Sequence, residues 1–264
     1  MRGAPGRKAI VLAALLGLAW AAPELRGQAG RATLPAVLKK AAAYCQRLEG
    51  AALDFVCQDE VKELTTRFTP SVDLYLYDYQ YVRKGKGTKE QRRLLSVNGE
   101  RADAKEAGLK TVMFRYEGVL FGPVGLLNEF WQARHEYRLA GREMSGRAPV
   151  AVIDARPGPE AAEPHCYGRV WVREDDGSVL KIVWDPKSVG NFTAMEEWAK
   201  VQGAEALITA FSEYGLENNG LRFPSRNYAE AAYLLADKRR VVSAMLSVAY
   251  KKYKFFTVEA EVSY

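Results

Sequence analysis

The sequence predicts an α+β chain that is mostly antiparallel β: one helix, then a long meander of strands curved into a half-barrel or a sandwich. Three observations predict it. Apolar residues recur at helical spacing from Leu34 to Leu48, and the period changes to two at Leu53. Strand-like runs then follow one another almost to the end of the chain. Turn signals separate them, among them Asn98-Gly99, Glu174-Asp175-Asp176-Gly177-Ser178 and Asn218-Asn219-Gly220.

The first element is a leader. Arg2, Arg7 and Lys8 precede an apolar run from Ala9 to Ala22, which ends in small residues before Pro23. A basic head, a short apolar middle and an A-x-A-like end are the parts of a cleavable secretory signal over residues 1–22. The run is shorter than the roughly 20 apolar residues of a bilayer span. The expected mature part, 23–264, reads as a single domain, exported to the periplasm or secreted, with no stable membrane span after cleavage.

A helix over 33–49 follows, with Thr33 at its cap, Pro35 in its first turn and Gly50 at its end. Leu34, Val37, Leu38, Ala41, Cys45 and Leu48 form its apolar stripe. The next strand starts at Leu53. A long strand over 72–83 then puts Tyr75, Tyr77, Tyr79 and Tyr81 on one face. Those tyrosines either pack across a half-exposed sheet or line an amphiphilic surface, because each ring is apolar and each hydroxyl polar. A third strand, 92–97, ends at Asn98-Gly99.

The segment 118–131 is strongly apolar yet broken by Gly118, Gly122, Pro123 and Gly125. That makes a poor strand centre. It reads as a loop entering a short helix, with Leu126, Leu127, Phe130 and Trp131 on the buried side. Strands are expected at 136–140 and 149–155, at 167–173 and 179–184, at 206–217 and 221–228, and at 241–250 and 255–264, with Lys251 to Lys254 as the last turn. A helix is expected over 193–201.

Composition narrows the function. The net charge of +6 includes the three leader cations, which leaves about +3 on the mature part. That excess gives no sustained basic face for nucleic acid. His135 and His165 are the only histidines. Neither has a second ligand at metal-binding spacing, so no metal or other cofactor is expected. No G-x-S-x-G, H-E-x-x-H or P-loop spacing occurs, and no catalytic residues are expected. Cys45 and Cys57 would lie about 18 Å apart on one straight helix. They form a disulfide only if the chain reverses near Gly50; otherwise they are two buried thiols.

One arrangement carries a resemblance. Tyr137-Arg-Leu-Ala-Gly-Arg-Glu-Met-Ser-Gly-Arg147 leads into Val150-Ala-Val-Ile-Asp, and Tyr167-Gly-Arg-Val-Trp-Val-Arg is followed by Asp176-Gly-Ser-Val-Leu-Lys-Ile. Residues 134–185 so resemble the LolA/LolB-like periplasmic carriers of outer-membrane lipoprotein sorting and their RseB-type sensor relatives. The resemblance implies a half-barrel with short helical insertions on its concave side. It also implies a non-enzymatic protein that shields an apolar ligand, whether a lipid, an acyl chain or a lipidated protein. The alternative on the same scaffold is a protein-interaction or sensory module with an envelope partner. Candidate ligand contacts are Phe121, Leu126, Leu127, Phe130 and Trp131, then Tyr75, Tyr77 and Tyr79; ordinary core is the other reading of the first five, and cross-strand packing that of the tyrosines.

Overall fold

A computed structural model describes residues 31–66, 69–85, 87–104, 109–110, 114, 117–159, 165–190 and 192–256. The expected leader over 1–22 lies outside these residues, as does most of the expected strand over 255–264.

Helix α1 spans Leu34–Gly50 and buries Val37, Ala41, Tyr44, Cys45 and Leu48. Thr33 holds the cap position with extended backbone, but its side chain makes no capping bond. The strands are β1 (Phe55–Thr65), β2 (Ser71–Lys84), β3 (Gly87–Val97), β4 (Glu100–Ala104), β5 (His135–Ser145), β6 (Ala148–Pro157), β7 (Gly168–Arg173), β8 (Val179–Trp184), β9 (Glu205–Glu213), β10 (Leu216–Asn218), β11 (Leu221–Phe223), β12 (Arg226–Leu234) and β13 (Arg240–Phe255). The short helices are α2 (Val124–Leu127), α3 (Glu129–Gln132) and α4 (Phe192–Val201).

Eleven strands form one open antiparallel sheet in the order β4-β3-β2-β1-β13-β12-β9-β8-β7-β6-β5. The chain steps outward from β1 to β4, crosses to the far edge at β5, and walks back until β13 pairs with β1. The crossing segment holds α2 and α3. β10 and β11 form a separate ribbon at Asn219-Gly220, where φ is 50° and 71°. Two successive positive φ values define the turn that matches strand twist, and Asn-Gly tolerates them. Asn98-Gly99 makes the same turn between β3 and β4, with φ of 50° and 85°.

The structure decides between the two readings of β2 and changes one expectation. The tyrosine face of β2 is packed inward, and Val72 and Leu74 on the other face are half exposed. The ring bodies fill an aromatic cluster with Phe55, Phe223, Tyr250 and Tyr253, while carboxylates satisfy three of the hydroxyls: Tyr75 donates to Glu63 at 3.0 Å, and Tyr79 and Tyr81 donate to Glu90 at 2.5 and 3.2 Å. Lys251 to Lys254 is not a turn but part of β13. Gln58 pairs with Lys251 and Val56 with Lys254, so Lys252 and Tyr253 stand opposite the single residue Cys57. This is a bulge, and Lys252 absorbs it at φ 52°. The bulge lets Tyr253 and Phe255 both pack near Phe55.

Cys45 and Cys57 are free, buried thiols. The Cys45 Sγ lies 3.4 Å from the Pro123 carbonyl, and the Cys57 Sγ 3.8 Å from Asp59.

Candidate functional site

Between the sheet and the crossing segment lies a groove of about 560 Å³. Side-chain size explains the gap. The inward positions of β9 and β12 include Ala210, Ser212, Asn227 and Ala229, which fill little space. Above them the crossing segment presents Gly118, Gly122 and Gly125. Phe121, Trp131 and Trp184 supply the aromatic walls. The volume falls within the roughly 300–1,000 Å³ of small-molecule sites.

The crossing segment is a roof pinned through its own backbone. Gly118 N donates to Glu90 Oε2 at 3.0 Å, and Tyr214 Oη donates to the Val119 carbonyl at 2.8 Å. Tyr137 Oη donates to the Leu126 carbonyl. Gln132 Nε2 joins the carbonyls of Leu38 in α1 and Leu127 in the roof, at 2.8 and 2.7 Å. Asn128 caps α3 by accepting from Trp131 N at 2.9 Å. Short-range backbone bonds such as Leu127 N to the Pro123 carbonyl at 2.8 Å shape the segment, and sheet side chains together with its own Gln132 hold it against the sheet and α1.

The groove floor carries a short polar relay. Trp184 Nε1 donates to Ser212 Oγ at 3.1 Å, and Ser212 Oγ donates to Asn227 Oδ1 at 2.9 Å. At the rim stand Glu117, His165 and Cys166. His165 Nε2 is 2.8 Å from His135 Nε2, and His135 Nδ1 is 2.9 Å from the Trp131 carbonyl. The Trp131 and His165 rings lie 4.7 Å apart. Burial lowers the His135 pKa, opposed in part by the Trp131 carbonyl. Among the described residues, no three His, Cys, Asp or Glu side chains converge as a metal site.

A buried charge cluster adjoins the roof at Glu90. Arg92 Nε lies 3.0 Å from Asp59 Oδ2, and Arg92 Nη1 lies 3.0 Å from Glu90 Oε2. The guanidinium also sits 4.7 Å from the centroid of the Tyr79 ring. Burial pushes Asp59 up to about 7, against the pull of Arg92. The Arg92 shift, upward under Glu90 and Asp59 despite burial, points the other way, toward a tight ion pair. One guanidinium serves two carboxylates here, so Arg92 keeps its charge and Asp59, fully buried, is the member whose ionisation is opposed.

Of the eight residues singled out from sequence, Phe121 and Trp131 line the groove. Leu126 and Leu127 are fully buried in the main core. Phe130 is 55% exposed, with the Arg134 guanidinium 3.7 Å from its ring centroid. Tyr75, Tyr77 and Tyr79 belong to the core on β2 and do not line the groove. Trp184, Ser212 and Asn227 were not anticipated. The available signal was the small side chains at alternate positions Ala210 and Ser212, and Asn227, Ala229 and Ala231, in strands that also carry large ones.

No protein-family model matches the sequence, and no curated protein matches it. Several solved structures are similar. An outer membrane lipoprotein-sorting protein domain from Vibrio parahaemolyticus shares 13% identity, with 85% of this chain and 94% of that chain covered, at a TM-score of 0.43. A LolA superfamily protein from Nitrosomonas europaea shares 11% identity over 86% of this chain and 95% of its own, at 0.36. MucB shares 12% identity over 81% and 93%, at 0.28.

Proposed function

We propose that the protein is an exported, non-enzymatic binding protein that shields an apolar ligand in the groove beneath the roof. One observation carries the reading: an aromatic groove of about 560 Å³ interrupts an otherwise packed inner face. An acyl chain laid there gains about 0.8 kcal/mol per buried methylene. About ten methylenes against Phe121, Trp131 and Trp184 reach micromolar affinity without covalent chemistry. The leader-like residues 1–22 support a periplasmic or secreted location. A lipid, an acyl chain or the acyl group of a lipidated protein all present the required surface.

The test is acyl-chain uptake from vesicles by the purified chain. Trp131→Asp places a charge in the groove wall and is expected to abolish uptake. Phe130→Asp, its exposed neighbour, is expected to leave uptake near wild type. Equal loss in both variants, or none in Trp131→Asp, contradicts the reading.

A further inference from the structure

We infer that the groove selects a neutral acyl ester or amide over a bare hydrocarbon or a carboxylate, with the side-chain amide of Asn227 as the specificity-determining group. The inference rests on the binding role proposed above and names the ligand class of that same site.

The relay on the floor fixes the Asn227 amide. An indole N–H only donates. Ser212 Oγ accepts from Trp184 and donates to Asn227 Oδ1, which leaves Nδ2 with its two protons as the other end of the amide. Nδ2 has no hydrogen-bond partner among the described residues. Asn227 is only 7% exposed, lies on the inward side of β12 and lines the groove. It is a donor on the surface of a groove that Phe121, Trp184, Ala210 and Ala229 also line.

A hydrocarbon that covers Nδ2 leaves its donors unmatched, which opposes binding. A carbonyl oxygen placed on Nδ2 satisfies them in surroundings of low polarity, where the hydrogen bond is strong. The charge of the walls decides between neutral and ionised ligands. Among the described lining residues there is no Lys or Arg. The one acid among them is Glu117, exposed at the rim, and the Tyr228 hydroxyl is turned to Glu230 at 2.8 Å. A carboxylate headgroup on the floor would lose its hydration with no Lys or Arg among the described lining residues to replace it. An ester or amide carbonyl carries no such penalty.

The test is displacement of N-phenyl-naphthylamine from the purified chain by decane, methyl decanoate and decanoate, at about pH 8. The wild type is expected to bind methyl decanoate about tenfold tighter than either of the others, as one satisfied donor implies. Asn227→Ala and the nearly isosteric Asn227→Leu, both without the amide donor, are expected to bring ester and decane to within about twofold of each other, with decane bound at least as tightly as by the wild type. Circular dichroism checks that each variant is folded. Ester and decane binding equally to the wild type, or a preference that survives both substitutions, overturns the inference and leaves the groove intact as an apolar site. Failure of all three compounds to displace the probe overturns the binding role itself, and the inference with it.

Discussion

The hydroxyl of Tyr214 donates to the Val119 carbonyl at 2.8 Å, and the same oxygen lies 2.5 Å from where a Cβ on Gly122 would stand. One phenol thus holds the roof down and bars any side chain at its closest approach. Trp184 Cζ2 closes the same space at 3.2 Å. Gly122→Ala is expected to lift the roof at a cost of about 1–3 kcal/mol, the range for overpacking. Because the phenol oxygen is the nearest obstacle, the substitution should cost less in a Tyr214→Phe background. A double-mutant cycle by urea unfolding reads this coupling. Additive effects would show that the two residues do not meet.

The hairpin between β7 and β8 is seated on α1 by a second glycine. Gly177 has φ 74°, and an added Cβ would fall 2.4 Å from the Lys40 carbonyl carbon. Lys40 Nζ reaches back to the Glu174 carbonyl at 2.8 Å. Gly177→Ala combines left-handed strain with a backbone clash, and should destabilise by more than about 2 kcal/mol. Gly146→Ala provides the comparison: φ is 60°, but nothing lies within 4 Å. It should cost only about 1 kcal/mol. Equal melting-temperature losses would contradict the seating of the hairpin.

The Asp59 cluster makes stability depend on pH. Below about pH 4 the carboxyl is protonated in the folded and unfolded chain alike. Between there and the folded value of about 7, the unfolded chain has lost a proton that the folded chain retains. Folding then binds more protons, so this group's contribution falls as pH rises, by at most about 4 kcal/mol, and levels off above about 7. Asp59→Asn is expected to flatten the slope of unfolding free energy between those limits. An unchanged slope would place the titration elsewhere.

The order of elements was legible in the sequence because it follows from periodicity and turn chemistry. The Asn98-Gly99 and Asn219-Gly220 turns, α1 and α4 all stand where residue patterns put them. The crossing from β4 to β5 was not legible, since strand patterns say which residues pair with a sheet but not with which neighbour. The role of the β2 tyrosines stayed open between packing and an amphiphilic surface for a related reason. Alternation separates two faces without saying which is inner, and here the Leu74 face is the outer one. The groove was half legible. Phe121 and Trp131 belong to an unusual apolar segment, whereas Ser212 and Asn227 lie on ordinary strands and meet only through the pairing of β9 with β12.

The cysteines give a simple chemical test. Cys45 and Cys57 are buried, and burial raises both thiol pKa values, while Cys166 lies at the groove rim. Ellman's reagent is expected to find one reactive thiol in the native chain and three after unfolding without reductant. Bound ligand should slow the native reaction. One thiol after unfolding would mean that Cys45 and Cys57 are bridged.

Two of the tryptophans, Trp131 and Trp184, face each other's groove. The most direct measurement is therefore quenching of intrinsic fluorescence by a methyl ester of a brominated acyl chain, which acts only at contact. The wild type should show saturable quenching at micromolar ester. The amplitude should fall in Trp131→Phe and again when Trp184→Phe is added, with Trp171 and Trp198 contributing little. Saturable quenching that persists unchanged in the double variant, or no saturable quenching in the wild type, would contradict the claim that this groove holds the acyl chain.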